Sequence, residues 1–211
     1  LVASRQQAQQ LIRAGRVRLG AEILDKPGRE IDLDALPQVE LPPRFVSRGG
    51  EKLEAALSQL PIQVDGRCCL DAGISTGGFS DCLLQHGAAR IYGIDVGYGQ
   101  IAWSLRTNPR IVLKERTNVR HLKAEDLYKP DDPLPTLAVA DLSFISLGLV
   151  LPALQGLLAG AAAAEAILLV KPQFEVGRQR VGKGGVVRDL KAQGDAVLAV
   201  AVAAAGLGWV P

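Results

Sequence analysis

Hydrophobic and polar positions alternate along this chain in two different rhythms. In the first 41 residues, Ser4 to Gly15 places Ala8, Leu11 and Ile12 on one face of a helix that ends on a glycine C-cap. Short strands are expected at Arg16–Leu19 and near Ile31, separated by the turn Asp25-Lys26-Pro27-Gly28. From residue 47 the rhythm changes. A helix is predicted over residues 47–57 with Leu53, Leu57 and Leu60 as its buried stripe, and apolar strand-length runs then recur at residues 67–71, 91–95, 111–115, 137–141, 166–171 and from Trp209 onward. Helical stretches separate most of them. Six such alternations predict an α/β protein with a doubly wound sheet. Ala, Val and Leu dominate and aromatics are few, which suits parallel strands covered on both faces by Ala-rich helices.

At 211 residues the chain has room for one sizeable core and one small appendage. The expected division is a small α/β domain over residues 1–41, a proline-stiffened linker over residues 42–46 beginning beside Leu41-Pro42-Pro43, and a large domain over residues 47–211. The chain contains no Met and opens inside an apparent helix. It therefore reads as part of a longer polypeptide, with the small domain incomplete at its front and the large one at its end.

The formal net charge is only +2, but its distribution is uneven. Arg5, Arg13, Arg16 and Arg18 fall in the first 20 residues with no Asp or Glu, while acids cluster from Glu22 to Glu40. Four arginines on a helix and hairpin fit a solvated amphipathic surface, or a basic face for structured RNA. Three cysteines, with Cys68 and Cys69 adjacent and so on opposite faces of a strand, do not make a metal clamp, and only His86 and His121 add imidazole. No metal is expected. Free thiols in an apolar strand and no visible secretory segment point to the cytoplasm. The uncharged stretch Leu142 to Ala164 is long enough to span a bilayer, but Ser143, Ser146, Pro152 and Gln155 interrupt it. It reads instead as strand end, loop and helix, and the apolar tail from Ala196 as a sheet-covering helix followed by a strand.

Candidate chemistry concentrates after the first strand of the large domain. Asp71 to Phe79 has the form D-x-G-x-x-x-G-G-F, and the next strand ends at Asp95, about 20 residues on. Glycines let the backbone approach a ligand, Ser75 or Thr76 is placed to cap the following helix, and a carboxylate at that distance suits ribose hydroxyls. Neither the G-x-G-x-x-G dinucleotide fingerprint nor the phosphate-loop G-x-x-x-x-G-K-[ST] is present. The turn resembles the first motif of class I methyltransferases. That resemblance implies S-adenosylmethionine as cofactor, held by Asp71, Gly73, Ser75, Thr76, Gly77, Gly78 and Phe79, with Asp95 and Val96 at its ribose and Asn118 at its adenine end. Two charges stand directly after apolar strands, Asp141 and Lys171, and Lys52 comes from the preceding helix. Strand ends are where ligands bind in such sheets.

The first 17 residues carry S-R-x-x-A-x-x-x-I-x-x-G-R-V, which resembles the small S4 RNA-binding domain. Ser47-Arg48-Gly49-Gly50-Glu51-Lys52-Leu53, Asp71 to Phe79, Asp95 to Gln100, Glu115-Arg116-Thr117-Asn118, Asp141 to Leu147, Lys171 to Glu175 and Gly182-Lys183-Gly184-Gly185 together resemble the TlyA, or hemolysin A, family. These are S4-domain ribosomal RNA 2'-O-methyltransferases of the FtsJ type. The resemblance implies a Rossmann-like class I methyltransferase domain that transfers a methyl group to a ribose 2'-hydroxyl of ribosomal RNA, usually on a cytidine. Ribosomal RNA or a ribosomal subunit is then the partner, with Arg5, Arg13, Arg16, Arg18 and Arg48 as RNA contacts. Of the family's Lys-Asp-Lys-Glu set, Lys52, Asp141 and Lys171 match the first three, Asp141 also facing the cofactor. The Glu would fall beyond Pro211, and Glu175 is not assigned that role. Lys171 either takes the hydroxyl proton or stabilises the developing alkoxide. Two other classes stay open on these residues alone: a non-catalytic RNA-binding or ribosome-assembly protein, and a haemolysin-type membrane-active protein.

Overall fold

The computed structural model describes residues 2–158 and 164–210. They form two units, Leu1–Arg44 and Phe45–Pro211. In the smaller unit, helix α1 (Arg5–Arg13) starts on Ser4, whose hydroxyl accepts the Gln7 N–H at 3.1 Å. Its apolar face buries Leu11 against Val17 and Leu24. Strands β1 (Val17–Leu19), β2 (Glu22–Ile23) and β3 (Gln38–Val39) form an antiparallel sheet in the order β2-β1-β3. The strand expected near Ile31 is not formed. Gly20, at φ +60, lets β1 turn back at once, so β2 lies at Glu22–Ile23 and Asp25 to Gly28 falls in the loop beyond the hairpin.

The larger unit runs α2 (Arg48–Leu57), β4 (Cys68–Ala72), α3 (Gly78–Gln85), β5 (Arg90–Ile94), α4 (Trp103–Arg106), β6 (Ile111–Lys114), α5 (Ala124–Leu127), β7 (Leu137–Ala140), α6 (Leu151–Leu157), β8 (Glu165–Leu168), α7 (Pro172–Glu175) and α8 (Leu190–Gly206). Its five strands are parallel, in the order β6-β5-β4-β7-β8. The chain winds outward from β4 in one direction and then, from β7, in the other. The crevice at the carboxyl ends of β4 and β7 is therefore the switch point where such sheets bind ligands.

Strand residues alternate strictly between two cores. Cys69, Ile91, Leu137 and Val139 face Phe45, Leu53, Leu83 and Leu105, whereas Leu70, Tyr92, Ala138 and Ala140 face Leu151, Leu154, Val200 and Ala204. Helix α8 buries Ala192, Ala196, Val200 and Ala204, a four-residue spacing of mostly small side chains, and meets the second core through Val200 and Ala204. Phe45, in the expected linker, is instead 2% exposed and belongs to the first core.

Two further expectations are corrected. Helix α2 stops at Leu57, so Leu60 lies beyond it and is 44% exposed. No sixth strand forms at Trp209 among the described residues; its N–H goes to the Ala204 carbonyl, closing the turn after α8. Between Leu142 and Ala164 the chain makes a loop, a short 3-10 turn and α6, with Pro152 tolerated in the helix's first turn, while residues 159–163 lie outside the described ones. Among the described residues no helix is long and apolar enough to cross a membrane.

Candidate active site

One cavity of about 1000 Å3 opens at the carboxyl ends of β4, β5 and β7. Gly73, Ser75, Thr76, Gly78, Phe79, Asp95, Val96, Asn118, Asp141, Lys52, Lys171 and Arg48, all singled out from the sequence, line it. Asp71 and Gly77 do not. The Asp71 side chain is fully buried beneath the turn, where one carboxylate oxygen accepts the Ser80 hydroxyl at 2.7 Å and the other has no hydrogen-bond partner. Burial pushes this carboxyl up to about 7, against the hydrogen bond from Ser80, and the charges of Asp141 and Asp95 push the same way as burial.

The glycines of the turn mostly serve packing rather than ligand approach. Gly77 stands at φ +97 as the N-cap of α3, and a Cβ there would sit 2.2 Å from Leu105 Cδ1. A Cβ on Gly78 would lie 2.4 Å from Ser47 Oγ and 2.8 Å from the Gly50 nitrogen, so this residue is small because α2 crosses α3 there. That crossing carries Lys52, just past Gly49 and Gly50 on α2, to the cavity wall. Neither Ser75 nor Thr76 caps α3. Ser75 adopts φ +48 and turns its N–H to Asp95 Oδ2 at 2.7 Å.

Asp95 thus has a second task that its position in the sequence does not reveal. Its other oxygen accepts the Gly97 N–H at 2.7 Å, so one carboxylate ties the turn after β4 to the loop after β5. Asn118 caps a 3-10 turn, its side-chain oxygen accepting the Arg120 N–H at 3.0 Å. The mixed lining, with apolar Ile74, Phe79, Val96 and Ile145 beside Asp95, Ser75 and Asn118, fits a ligand with both a nucleoside and an aliphatic part.

Across the cavity, Asp141 stands between two lysines, with Lys52 Nζ 2.9 Å from one oxygen and Lys171 Nζ 2.6 Å from the other. Partial burial raises the Asp141 carboxyl, but the hydrogen bonds of Lys171 and Lys52 and their charges outweigh it and hold the group below its ordinary value. Lys171 Nζ also donates to Ser143 Oγ at 2.8 Å, a contact that sequence reasoning did not single out. Glu175 does not reach the cavity; it accepts the Ser146 hydroxyl at 2.6 Å and the Leu147 N–H at 2.8 Å, anchoring the far end of the Asp141 loop. Arg5, Arg13 and Arg18 are exposed on the small unit, whereas Arg16 is half-buried and bonded to Glu40 at 3.0 Å.

A parallel sheet with this switch point, a glycine turn after its first strand, an acid after its second and a Lys-Asp-Lys cluster opposite defines a class I methyltransferase domain. The particular family follows from comparison with known proteins. Residues 45–209 match the FtsJ-like methyltransferase family and residues 1–35 the S4 domain, and the chain belongs to the S4-bearing FtsJ-like methyltransferases. It is 52% identical over 211 residues to the 16S/23S rRNA (cytidine-2'-O)-methyltransferase TlyA of Mycobacterium tuberculosis, covering 99% of this chain and 76% of that protein. Hemolysin A of Brachyspira hyodysenteriae is 40% identical over 187 residues, 88% of this chain and 75% of that one. A crystal structure of a candidate hemolysin from Lactococcus lactis superposes with a TM-score of 0.73 at 43% identity, covering 78% of this chain and 76% of that one.

Proposed function

We propose that this protein transfers a methyl group from S-adenosylmethionine to the 2'-hydroxyl of a cytidine ribose in ribosomal RNA. The observation that carries the reading is Asp141 held between Lys52 and Lys171 on the wall of the cavity that also contains Asp95. The relatives named above, one an rRNA cytidine 2'-O-methyltransferase, support the substrate.

The lining residues fit the cofactor by their chemistry. Asp95 offers carboxylate oxygens to ribose hydroxyls, and Ile74, Phe79 and Val96 offer apolar surface. When bound, the sulfonium cofactor supplies an already activated methyl carbon. The protein's work is then to hold the acceptor oxygen in line and to manage its proton. Paired with Asp141 and donating to Ser143, the Lys171 ammonium is held at the cavity wall, where it stabilises the negative charge that develops on the acceptor oxygen. The hydroxyl proton leaves to solvent. Lys52 balances the second oxygen of Asp141 and so fixes the direction from which Lys171 donates. The exposed Arg5, Arg13 and Arg18 supply phosphate contacts that hold structured RNA independently of the chemistry.

The test is the protein with methyl-labelled S-adenosylmethionine and unmodified ribosomal RNA, followed by mapping of the labelled nucleotide. Label on a cytidine 2'-oxygen supports the reading. RNA binding without label assigns a binding module, and label on a base nitrogen or carbon overturns the acceptor assignment.

A further inference from the structure

The fold brings together three side chains that counting cysteines and histidines did not connect. Cys82 and His86 lie four residues apart on α3 and share one of its faces, His86 as the C-cap. Glu54 reaches them from α2. Its Oε2 lies 2.7 Å from His86 Nε2 and 3.7 Å from Cys82 Sγ, and one ligand atom from each of the three residues falls within 4.8 Å of the others. Cys82 is fully buried, while the His86 and Glu54 side chains are 35% and 27% exposed.

We infer that Glu54, Cys82 and His86 form a zinc-class divalent cation site with three protein ligands and a fourth place open to water. One imidazole nitrogen, one thiolate and one carboxylate oxygen make a borderline-soft donor set that suits Zn2+ rather than Mg2+ or Ca2+. Bond lengths of about 2.0–2.3 Å at tetrahedral angles separate neighbouring donors by roughly 3.3–3.7 Å. The Glu54–Cys82 separation of 3.7 Å already meets this, and the Glu54–His86 pair at 2.7 Å opens by under roughly 1 Å through side-chain torsion on a partly exposed rim. Burial of Cys82 puts the sulfur on the inner side, and the exposed edges of His86 and Glu54 leave an approach from solvent. Binding displaces the thiol proton to buffer and forms one metal–sulfur bond without any redox change. The site joins α2 to α3, the helices whose glycine crossing sets the position of Lys52, and is separate from the cofactor cavity.

The test uses the tag-free, reduced protein titrated with Co2+ alone and then with Zn2+. The expected result is one Co2+ per chain with a thiolate-to-metal charge-transfer band in the near ultraviolet, displaced by Zn2+. Cys82→Ser removes the band. His86→Gln, at a partly exposed helix end, keeps the circular dichroism of the wild type and weakens affinity by roughly 100-fold or more, since even outer partners of metal ligands are worth 10- to 100-fold. Absence of the band in the wild type, or an unchanged band and affinity in folded His86→Gln, overturns the site and leaves Glu54 and His86 as a hydrogen-bonded pair only.

Discussion

The buried Asp71 makes the stability of the larger unit depend on pH in a way that one substitution should abolish. Its carboxyl is raised from 3.8 to about 7 in the folded chain, chiefly by burial. Between roughly pH 4 and pH 7 the folded protein therefore keeps a proton that the unfolded chain has lost, and stability falls as pH rises through that window. Above about pH 7 both states are ionised, the slope disappears and the full penalty remains. A shift of about 3 units corresponds to on the order of 4 kcal/mol, of which roughly 2.5 kcal/mol develops between pH 5 and pH 8. Asp71→Asn keeps the shape and an oxygen to accept the Ser80 hydroxyl but cannot ionise.

Urea unfolding of both proteins from pH 5 to pH 8 measures the effect. Both tryptophans, Trp103 and Trp209, lie in the larger unit and residues 1–44 contain no aromatic side chain, so tryptophan fluorescence follows that unit alone. With a urea dependence of about 2 kcal/mol per molar, the midpoint of the wild type should fall by roughly 1 M relative to the variant across this range. Parallel midpoint curves for the two proteins would refute the raised carboxyl.

Lys171→Ala should lower single-turnover methylation by roughly 100-fold or more at saturating RNA, and adding Asp141→Ala should cost little further because the two act as a unit; a loss of only a few-fold would leave Lys171 as a structural partner of Asp141 and Ser143 only. Asp95→Ala should weaken S-adenosylmethionine binding in calorimetry and, because Ser75 and Gly97 lose their acceptor, also raise amide exchange in both loops; unchanged affinity would remove Asp95 from the site. Reversing the exposed Arg13 and Arg18 should flatten the salt dependence of RNA binding, by about one unit of slope for each phosphate no longer neutralised, and leave cofactor affinity alone. An identical slope for variant and wild type would detach this surface from RNA.

Much of the architecture was legible because strands buried on both faces leave continuous apolar runs, and five of the six expected ones fall in the parallel sheet. The residues brought together at the cavity were legible for a related reason: Asp95, Asp141 and Lys171 follow such runs directly, where the chain leaves the sheet at its carboxyl edge. What was not legible depends on contacts between distant segments. Asp71 ends the same kind of run yet points down into the core to Ser80, and nothing in its neighbours distinguishes it from Asp95. The hairpin partner of β1 was displaced because Gly20 closes the turn within two residues, a shorter route than the proline turn suggested. Leu60 keeps the apolar period of α2 without belonging to it, because periodicity does not mark where a helix ends.

The glycine-rich turn shows how a motif associated with ligand binding sets catalytic geometry through packing. Only a residue without a Cβ at Gly78 lets α3 lie this close to the Gly49 and Gly50 backbone of α2, and Lys52 follows that contact directly on α2. A Cβ on Gly78 has no flexible side-chain end to push aside on the Gly50 side, where it meets backbone nitrogen at 2.8 Å, so α2 itself must move. Gly78→Ala should therefore destabilise the larger unit by about 1–3 kcal/mol, as overpacking does. It should also lower single-turnover methylation more than it weakens cofactor binding, because a displacement near 1 Å at a catalytic group costs on the order of 100-fold while the Asp95 side of the cavity is untouched. Equal losses in cofactor affinity and rate would instead mean that Gly78 serves the ligand turn itself, and the link from glycine crossing to lysine position would fail.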